Sequence, residues 1–376
     1  MKEDWKKEAW EFIKEKTEMN NERIGAEFPH VSKDKHYDRE NPQWWTAGFW
    51  PGILWHVYSD SRNEKLRSTA EECERKMDYL LTDSEDVDHD MGFMWTLSSI
   101  ADYKITGNKE SRRRALLAAN LLAGRFNIKG NYIRAWNKWC EKDDNSGVAI
   151  IDCMMNLGLL YWASEETGDP RFKHIAESHG EMVLKNFIRD DGSVQHMVVF
   201  DSETGEVVEK LGGQGFDADS AWARGCAWAV YGLAISYKHT ENIELLNAAK
   251  KCAHYFIANT DGCRCPVWDF RVPEDGERRY RYPDSSAGAI AACGLLLISE
   301  EVSDFEKSLY REAGEKMLHN LYYDCSSKDD SKEEGLLYHA TGHFPEQKNL
   351  DVPIIYGDYF FTEGIARLNG EEIFLW

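Results

Sequence analysis

The feature that most constrains the fold is a junction that recurs five times along the chain. In each copy a helix-like stretch ends in a short polar turn and a new amphipathic stretch begins at once. The copies read YSDSRNEKLRSTA, YKITGNKESRRRALLAA, SEETGDPRFKHIAE, YKHTENIELLNAAKK and SEEVSDFEKSLYREAGEK. A polar turn followed by apolar residues at i, i+3 and i+4 is typical of a tight helical hairpin. Repeats of this kind indicate stacked supersecondary units rather than separate domains.

Helix-like stretches form twelve segments, in which short turns alternate with long connections. They cover residues 3–19, 44–59, 63–81, 92–106, 109–125, 147–167, 170–187, 219–240, 242–259, 285–300, 303–321 and 356–369. Six such hairpins closed into a ring form an (α/α)6 barrel, whose long connections gather at one end. The segment VQHMVVFDSETGEVVEK (194–210) predicts a small β-hairpin in one of these long loops. Because no linker-like break interrupts the pattern, we expect residues 1–376 to form one all-α domain.

The charge balance excludes several classes of partner. Lys and Arg number 45 against 66 Asp and Glu, and the net charge of -21 argues against nucleic acid, an anionic membrane or a long polyanion. A small anionic ligand in a locally basic pocket remains compatible with this charge. No apolar run reaches the about 18 residues of a membrane span, and no hydrophobic signal core opens the chain. The nine cysteines are irregularly spaced and without a zinc-like pattern, so we expect reduced thiols, no metal and a cytoplasmic protein.

Residues that carry chemistry cluster where the long connections lead into helices. The N-termini of those helices carry partial positive charge, which favours an anionic ligand. Asp152 is the single carboxylate in AIIDCMM and lies on an otherwise buried or semi-buried face of the helix predicted over 147–167. Burial raises the pKa of a carboxyl, which suits a general acid at neutral pH. The alternative is a buried aspartate that caps a helix or binds a neighbouring loop.

A second carboxylate stands at the start of another helix. His89 and Asp90 precede the helix in HDMGFMW. Taken alone, Asp90 is more naturally an N-cap, which is worth about 1 kcal/mol. Its interest comes from Asp152, because two carboxylates at one pocket mouth are the usual unit of glycosidic chemistry.

Arg224 is the only charge in a run of fourteen residues and lies one turn from Trp228. Its guanidinium can stack on that indole and clamp a ligand carboxylate. It can equally form a structural salt bridge to an acid such as Asp219 or Asp269. The sequence leaves both interpretations open.

Fourteen tryptophans are many for one chain, and indole faces pack well on sugar rings. The tryptophans expected near the long connections are Trp44, Trp45, Trp136, Trp139, Trp222, Trp228 and Trp268. Trp55, Trp95 and Trp162 stand at helical spacing and are expected in the core.

Long motifs in a fixed order suggest a family. They read NPQWWTAGFWPGILW, HDMGFMW, IIDCMMNLGLLYWAS, QHMVVFDSETGEV, GQGFDADSAWARGCAWAVYG and VPIIYGDYFFTEG, and they span about residues 40–365. Together they resemble the unsaturated glucuronyl hydrolases of glycoside hydrolase family 88. The resemblance implies a single-domain (α/α)6 barrel without metal or organic cofactor. It also implies removal of the 4,5-unsaturated uronic acid that polysaccharide lyases leave at the non-reducing end of glycosaminoglycan fragments.

The resemblance assigns roles to individual residues. Asp152 would be the general acid/base, and Asp90 would assist it from across the pocket. The residues that match positions lining the uronate subsite are His196, Gln214, Trp222, Arg224 and Trp228, and those that would add further walls are Trp45, His89 and Trp136. The reaction would be hydration: Asp152 protonates C4 of the enol ether and water adds at C5, with His196 and Gln214 orienting the water. The acidic surface favours a di- or tetrasaccharide substrate over a polymer.

Three alternatives stay open. Family 105, the unsaturated rhamnogalacturonyl hydrolases, shares the ring and the chemistry but acts on pectin-derived substrates; the AWARGCAW run favours family 88. A sugar epimerase of the N-acylglucosamine 2-epimerase type also forms this ring, but usually relies on paired histidines. A catalytically silent glycan-binding ring is disfavoured by the presence of both Asp90 and Asp152. Candidates for sulfate selectivity are His339, Thr341, His343 and Lys348, while the charged stretch 326–335 is expected to be a solvated loop.

Overall fold

The computed structural model describes residues 4–138, 144–273 and 280–376. In chain order its α-helices are α1 (Trp5–Ile24), α2 (Phe49–Ser61), α3 (Glu64–Lys76), α4 (Met91–Trp95), α5 (Ala101–Thr106), α6 (Lys109–Ala123), α7 (Cys153–Asn156), α8 (Gly158–Thr167), α9 (Pro170–Asn186), α10 (Ala223–Thr240), α11 (Ile243–Asn259), α12 (Ser285–Glu301), α13 (Asp304–Asp324) and α14 (Ile355–Leu368). A π-helical turn at Thr96–Ile100 joins α4 to α5, so these two helices form one continuous rod.

The helices form two concentric layers. In the inner layer α2, α4–α5, α7–α8, α10, α12 and α14 each contact the next, and α14 contacts α2, which closes the ring. The outer layer consists of α1, α3, α6, α9, α11 and α13, which pack against it. The predicted (α/α)6 barrel is confirmed.

Composition decides which helix lies in which layer. Every residue of α12 from Ser285 to Ser299 is buried, because the helix is apolar or small all round. In α3, by contrast, the buried positions are Leu66, Ala70, Cys73 and Glu74, a single stripe at helical spacing. Helices of the first kind need neighbours on every side and become the inner layer.

Four of the five short turns share one stereochemical pattern, which accounts for most copies of the recurring sequence junction. In the fifth, between α12 and α13, Val302 has extended backbone geometry and the Ser303 side chain caps no backbone N–H among the described residues. Helices α2, α5, α8 and α10 each end at a residue with left-handed backbone geometry. The next residue is Asn or Asp, whose side chain accepts a backbone N–H from the first turn of the following helix. The pairs are Arg62–Asn63, Gly107–Asn108, Gly168–Asp169 and Glu241–Asn242.

The strands are β1 (Ser32–Lys33), β2 (His36–Tyr37), β3 (Phe126–Asn127), β4 (Tyr132–Ile133), β5 (Val148–Ile150), β6 (Met197–Phe200) and β7 (Val207–Leu211). The predicted hairpin is β6–β7, and β5 adds a third antiparallel strand to it. The prediction that residues 147–152 are helical is therefore wrong, because β-branched Val148 and Ile150 pair with β6 and the helix begins only at Cys153. Likewise α10 begins at Ala223 rather than 219, because Trp222 forms a β-bridge with Asp269.

The charged stretch 326–335 is not simply solvated, which corrects the sequence expectation. Glu333 and Glu334 are buried. The Lys16 ammonium donates to the backbone carbonyl oxygens of Ser327, Asp330 and Glu333 at 3.3, 2.9 and 2.7 Å. A buried cation on α1 therefore organises this loop.

No helix in the described ranges has the length and apolarity to cross a bilayer. The eight cysteines in the same ranges are all free thiols.

Candidate active site

The candidate catalytic residues gather where the inner helices begin, as the ring topology predicts. Asp90 occupies the N-cap position of α4, Asp152 that of α7 and Trp222 that of α10. Asp284 occupies the same position in α12. The positive ends of several helices thus face one region, which favours negative charge there.

Asp152 sits at the junction of β5 and α7 rather than inside a helix. Its residue is 9% exposed, and its Oδ2 atom has no hydrogen-bond partner within the described part of the chain. That oxygen lies 3.5 Å from Nε2 of His196. Among the same residues its side chain caps no helix, so the capping alternative is not realised and the carboxyl group remains available for chemistry.

Asp90 is similarly buried, at 8% exposure. Its Oδ1 accepts a hydrogen bond from Nδ2 of Asn156 at 3.1 Å and lies 3.5 Å from Nε2 of His89. Burial raises the pKa of Asp90 well above its usual range, and the negative charges of Asp88 and Asp152 raise it further. Asp90 stands at the N-cap position of α4, but its side chain accepts no backbone N–H from that helix within the described residues, so the side-chain capping alternative is not realised.

The two predicted histidines have different environments. His89 is fully buried, and the loss of solvation lowers its pKa to about 3, so its ring is neutral. The His89 ring lies beside Asp90 and has no solvent-exposed surface that a ligand could contact. His196 lies just before β6, and its Nδ1 accepts the backbone N–H of Gln214 at 2.8 Å. This bond assigns the proton of a neutral ring to Nε2, which is directed at Asp152.

Arg224 is held by four hydrogen bonds. Nη1 donates to Asp284 Oδ2 at 3.0 Å and to the Thr341 carbonyl at 2.6 Å. Nη2 donates to Gln214 Oε1 and to the Gly342 carbonyl, each at 2.7 Å. The sequence reasoning named Asp219 or Asp269 as the salt-bridge partner; the partner is Asp284.

Because four of the five guanidinium donors are engaged, Arg224 has no free pair of donors for a bidentate clamp on a ligand. Its plane lies over the Trp222 ring at 4.5 Å and the Tyr356 ring at 5.2 Å. Arg224 therefore stacks on Trp222 and Tyr356, and not on Trp228 as the i, i+4 spacing of Arg224 and Trp228 suggested.

The tryptophans predicted as aromatic walls lie in different surroundings. The ring centroids of Trp222 and His196 are 4.4 Å apart, and those of Trp45 and Tyr356, which stack, are 5.1 Å apart. Trp136 packs on one face of the β5–β6 sheet, in the cluster of Ala135 and its neighbours. Trp228 is completely buried between Phe93 and Phe360, so it belongs to the core rather than to a sugar-binding surface. Trp139 lies outside the described residues.

Sequence reasoning missed Tyr356, His30 and Asn156. Tyr356 and Asn156 lie inside the motifs VPIIYGDYFFTEG and IIDCMMNLGLLYWAS, so the sequence offered a signal for both. The His30 ring contacts Trp44, Trp45 and Tyr356 at 5.5, 6.5 and 6.3 Å, and burial lowers its pKa to about 4. It belongs to an irregular segment that no helix or strand pattern would have singled out. Of the residues proposed for sulfate selectivity, His343 has its pKa lowered by burial, with the nearby charge of Arg224 contributing.

Within the described residues, one group of three potential metal ligands lies within 4.8 Å, namely Asp88, His89 and Asp90. The Oδ1 atom of Asp88 already accepts the backbone N–H of Asp90 at 2.9 Å. Together with the Asn156 bond to Asp90, this gives the two carboxyl groups hydrogen-bond partners, whereas neither ring nitrogen of His89 has one among the described residues. The geometry is that of an acid–base pair beside a neutral histidine, set among aromatic rings.

No protein-family model matches the chain. Individual proteins do. The unsaturated chondroitin disaccharide hydrolase of Streptococcus pyogenes serotype M1 is 35% identical over 364 residues, which are 96% of this chain and 90% of that protein. The unsaturated glucuronyl hydrolase of Bacillus sp. (strain GL1) is 35% identical over 357 residues, 94% and 93% of the two chains.

Solved structures agree. An unsaturated glucuronyl hydrolase from Streptococcus agalactiae superposes with a TM-score of 0.93 at 29% identity, over 100% of this chain and 94% of the other. A mutant from that organism, crystallised in complex with dGlcA-GalNAc6S, superposes with a TM-score of 0.86 at 28% identity over the same shares of the two chains.

Proposed function

The chain belongs to the unsaturated glucuronyl hydrolases, and on this premise we propose that it removes 4,5-unsaturated glucuronic acid from lyase-generated glycosaminoglycan oligosaccharides. The observation that carries the proposal is the pair of buried carboxyl groups, Asp152 and Asp90, at the N-termini of α7 and α4. Two such groups beside a neutral histidine and aromatic walls suit acid–base chemistry on a sugar.

The proposed reaction is hydration of the C4=C5 enol ether. Protonated Asp152 donates its proton to C4, and positive charge develops at C5 and the ring oxygen. Water adds at C5 and gives its proton to the Asp152 carboxylate, which restores the acid. The resulting hemiketal opens, and the unstable product releases the remaining sugar chain.

Protonation of a vinyl ether requires an acid that keeps its proton near neutral pH. Burial first, and then the negative charges of Asp88 and Asp152, raise the pKa of Asp90, so Asp90 keeps a proton close to Asp152. We propose that Asp152 delivers it, because its Oδ2 atom is unpartnered among the described residues. Asp90 would hold the second position across the pocket.

His196 would act on the same oxygen. Its Nε2 lies 3.5 Å from Oδ2 of Asp152 and carries the ring proton, so it stabilises the Asp152 carboxylate that forms after protonation of C4. Gln214 holds His196 through its backbone N–H and accepts from Arg224 through Oε1. Its amide NH2 group would then be the donor that orients the attacking water.

The positive charge of Arg224 would attract the substrate carboxylate without a bidentate hydrogen bond from the guanidinium to it. Arg224 keeps its positive charge within the pocket wall while its donors bind protein oxygens. The helix N-termini around it add partial positive charge. We propose Trp45 and Trp222 as the aromatic surfaces against the unsaturated ring and Trp136 as a further wall.

The substrate would be a di- or tetrasaccharide, since a net charge of -21 repels a long sulfated chain. The reaction as written requires no metal or organic cofactor. We place the enzyme in the cytoplasm, with the free state of the eight described cysteines in support.

The test uses unsaturated disaccharides released by lyases from chondroitin, hyaluronan, heparin and pectin. Hydration removes the ultraviolet absorbance of the conjugated C4=C5 bond. We expect absorbance to fall with the wild type, to persist with Asp152→Asn, and to fall at the wild-type rate with the exposed control Asp219→Asn. Substantial turnover by Asp152→Asn would remove Asp152 from the mechanism. A wild type inactive on all four would leave the fold without this activity, and preference for the pectin product would favour the rhamnogalacturonyl alternative.

A further inference from the structure

We propose that Asn156 is a positioning residue, which caps helix α4 from the neighbouring helix and thereby releases the Asp90 carboxyl group for reaction. The inference rests on the proposed function for its kinetic consequences. The structural step stands on hydrogen bonds alone.

A residue at the N-cap position normally accepts a backbone N–H from the second or third helical residue. Asp90 occupies this position in α4, and Phe93 is the third residue of that helix. The Phe93 N–H instead donates to Oδ1 of Asn156, at 2.8 Å. The cap of α4 is therefore supplied by a residue 63 positions further along the chain.

The same amide holds Asp90 from the other side. Nδ2 of Asn156 donates to Oδ1 of Asp90 at 3.1 Å. One side chain thus satisfies the helix end and fixes the orientation of the carboxyl group. The remaining oxygen of Asp90 is left to carry a proton.

Packing makes this arrangement specific. Asn156 is completely buried, and it ends α7 one turn after Asp152. A Cβ atom at Gly92 would lie 2.4 Å from both Cα and Cβ of Asn156, so only glycine permits this approach of α4 to α7. Asn156 therefore connects Asp90, through a side-chain hydrogen bond, to the helix whose N-cap position Asp152 occupies.

The most informative substitution is Asn156→Asp. The carboxylate can still accept the Phe93 N–H, so α4 keeps its cap. The donor to Asp90 is lost and replaced by an oxygen with like charge, which raises the pKa of the pair. We expect kcat to fall at least tenfold with KM changed less than threefold, and the alkaline limb of the pH profile to move upward by at least one unit.

The matched control is Asn108→Asp. Asn108 caps its own helix, α6, by accepting the Glu110 N–H at 3.1 Å. The chemical change is identical there, and we expect an unchanged pH profile. Asn156→Ala serves as the second variant, because Asp90 can then turn to cap α4 itself; its crystal structure should show Asp90 bound to the Phe93 N–H.

A readout independent of turnover separates this inference from the proposed function. Carboxyl 13C NMR of the unliganded protein, with Asp90→Asn for assignment, should show Asp90 titrating at higher pH in Asn156→Asp than in the wild type. If Asp90 titrates identically in both, and Asp90 keeps its orientation in Asn156→Ala, the inference is overturned. Absent wild-type turnover would instead count against the proposed function.

Discussion

The bond network of Arg224 leads to a sharp prediction about stability. The guanidinium and the Asp284 carboxylate are 3% and 0% exposed, and they are 3.0 Å apart. Removal of one partner from a buried ion pair costs about 3–5 kcal/mol, because the other charge is left uncompensated. Asp284→Asn leaves Arg224 with its carbonyl and amide acceptors, so the lower end, about 3 kcal/mol, is expected.

That loss is a large share of the roughly 5–15 kcal/mol that holds a folded protein together, and it lowers the folding equilibrium constant about 100-fold. Urea unfolding at pH 7, followed by tryptophan fluorescence, measures it directly. The kinetic consequence is a loss of kcat/KM, since the carbonyl groups of Thr341 and Gly342 lose their fixed anchor.

A double-mutant cycle tests the reason as well as the number. Arg224→Met should be more damaging than Asp284→Asn, because it strands a buried carboxylate and leaves two backbone carbonyls without their donor. Combining it with Asp284→Asn removes the stranded charge and keeps an oxygen to accept from Ser286 and Ala287, so Arg224→Met/Asp284→Asn should be more stable than Arg224→Met alone. An Asp284→Asn variant within about 0.5 kcal/mol of the wild type would refute the argument.

Three further outcomes are expected. The folded-state pKa of Asp90 lies above its unfolded value of about 3.9. The folded protein therefore loses stability as the pH rises from the unfolded pKa to the folded pKa, because the buried carboxyl group must ionise. Asp90→Asn should unfold at a higher temperature than the wild type at pH 8, with a smaller gain at pH 5. Lys16→Met should lower the free energy of unfolding by about 3 kcal/mol, measured in urea, because the loop carbonyls lose a buried donor. Gly213→Ala should lower kcat/KM at least tenfold, since its Cβ would lie 2.1 Å from Nδ1 of His196; Gly168→Ala, with a similar positive φ but nothing within 4 Å, should lose stability only, and equal activity of the two variants would contradict the clash.

The ring was predictable because its signals are local. Four of the five short turns combine a helix end, a left-handed residue and an Asn or Asp cap within a few positions, and apolar periodicity indicates which helices form each layer. The start of α7 was not predictable in this way. Val148–Ile150 is apolar enough for a buried helix, and only its pairing with β6, almost fifty residues away, decides for a strand.

The residues of the site also differ in whether a local sequence signal identifies them. Asp152 stands out in the sequence as a single carboxylate in apolar surroundings, whereas Asp90 ends the acidic run SEDVDHD and is identified only through its pairing with Asp152 and the family resemblance. Asp284 and Asn156 could not be paired with Arg224 and Asp90 from spacing, since 60 and 66 positions separate the partners. Trp228 was misplaced because an apolar helix start gives no signal that separates a pocket wall from the core.

The long reach of the Arg224 bonds has a consequence for the order of events during synthesis. The Gly342 carbonyl lies 118 positions after the guanidinium it binds, and a ribosome adding about 5–20 residues per second needs roughly 6–24 s to produce that stretch. Until then the cation has no carbonyl shell, and Tyr356 has not been made. The early hairpins can pair as they emerge, but the pocket closes only with the last of them. Nascent chains are therefore without activity until the ring is complete, and a ribosome stalled before residue 341 would hold a partly folded ring with an exposed Arg224.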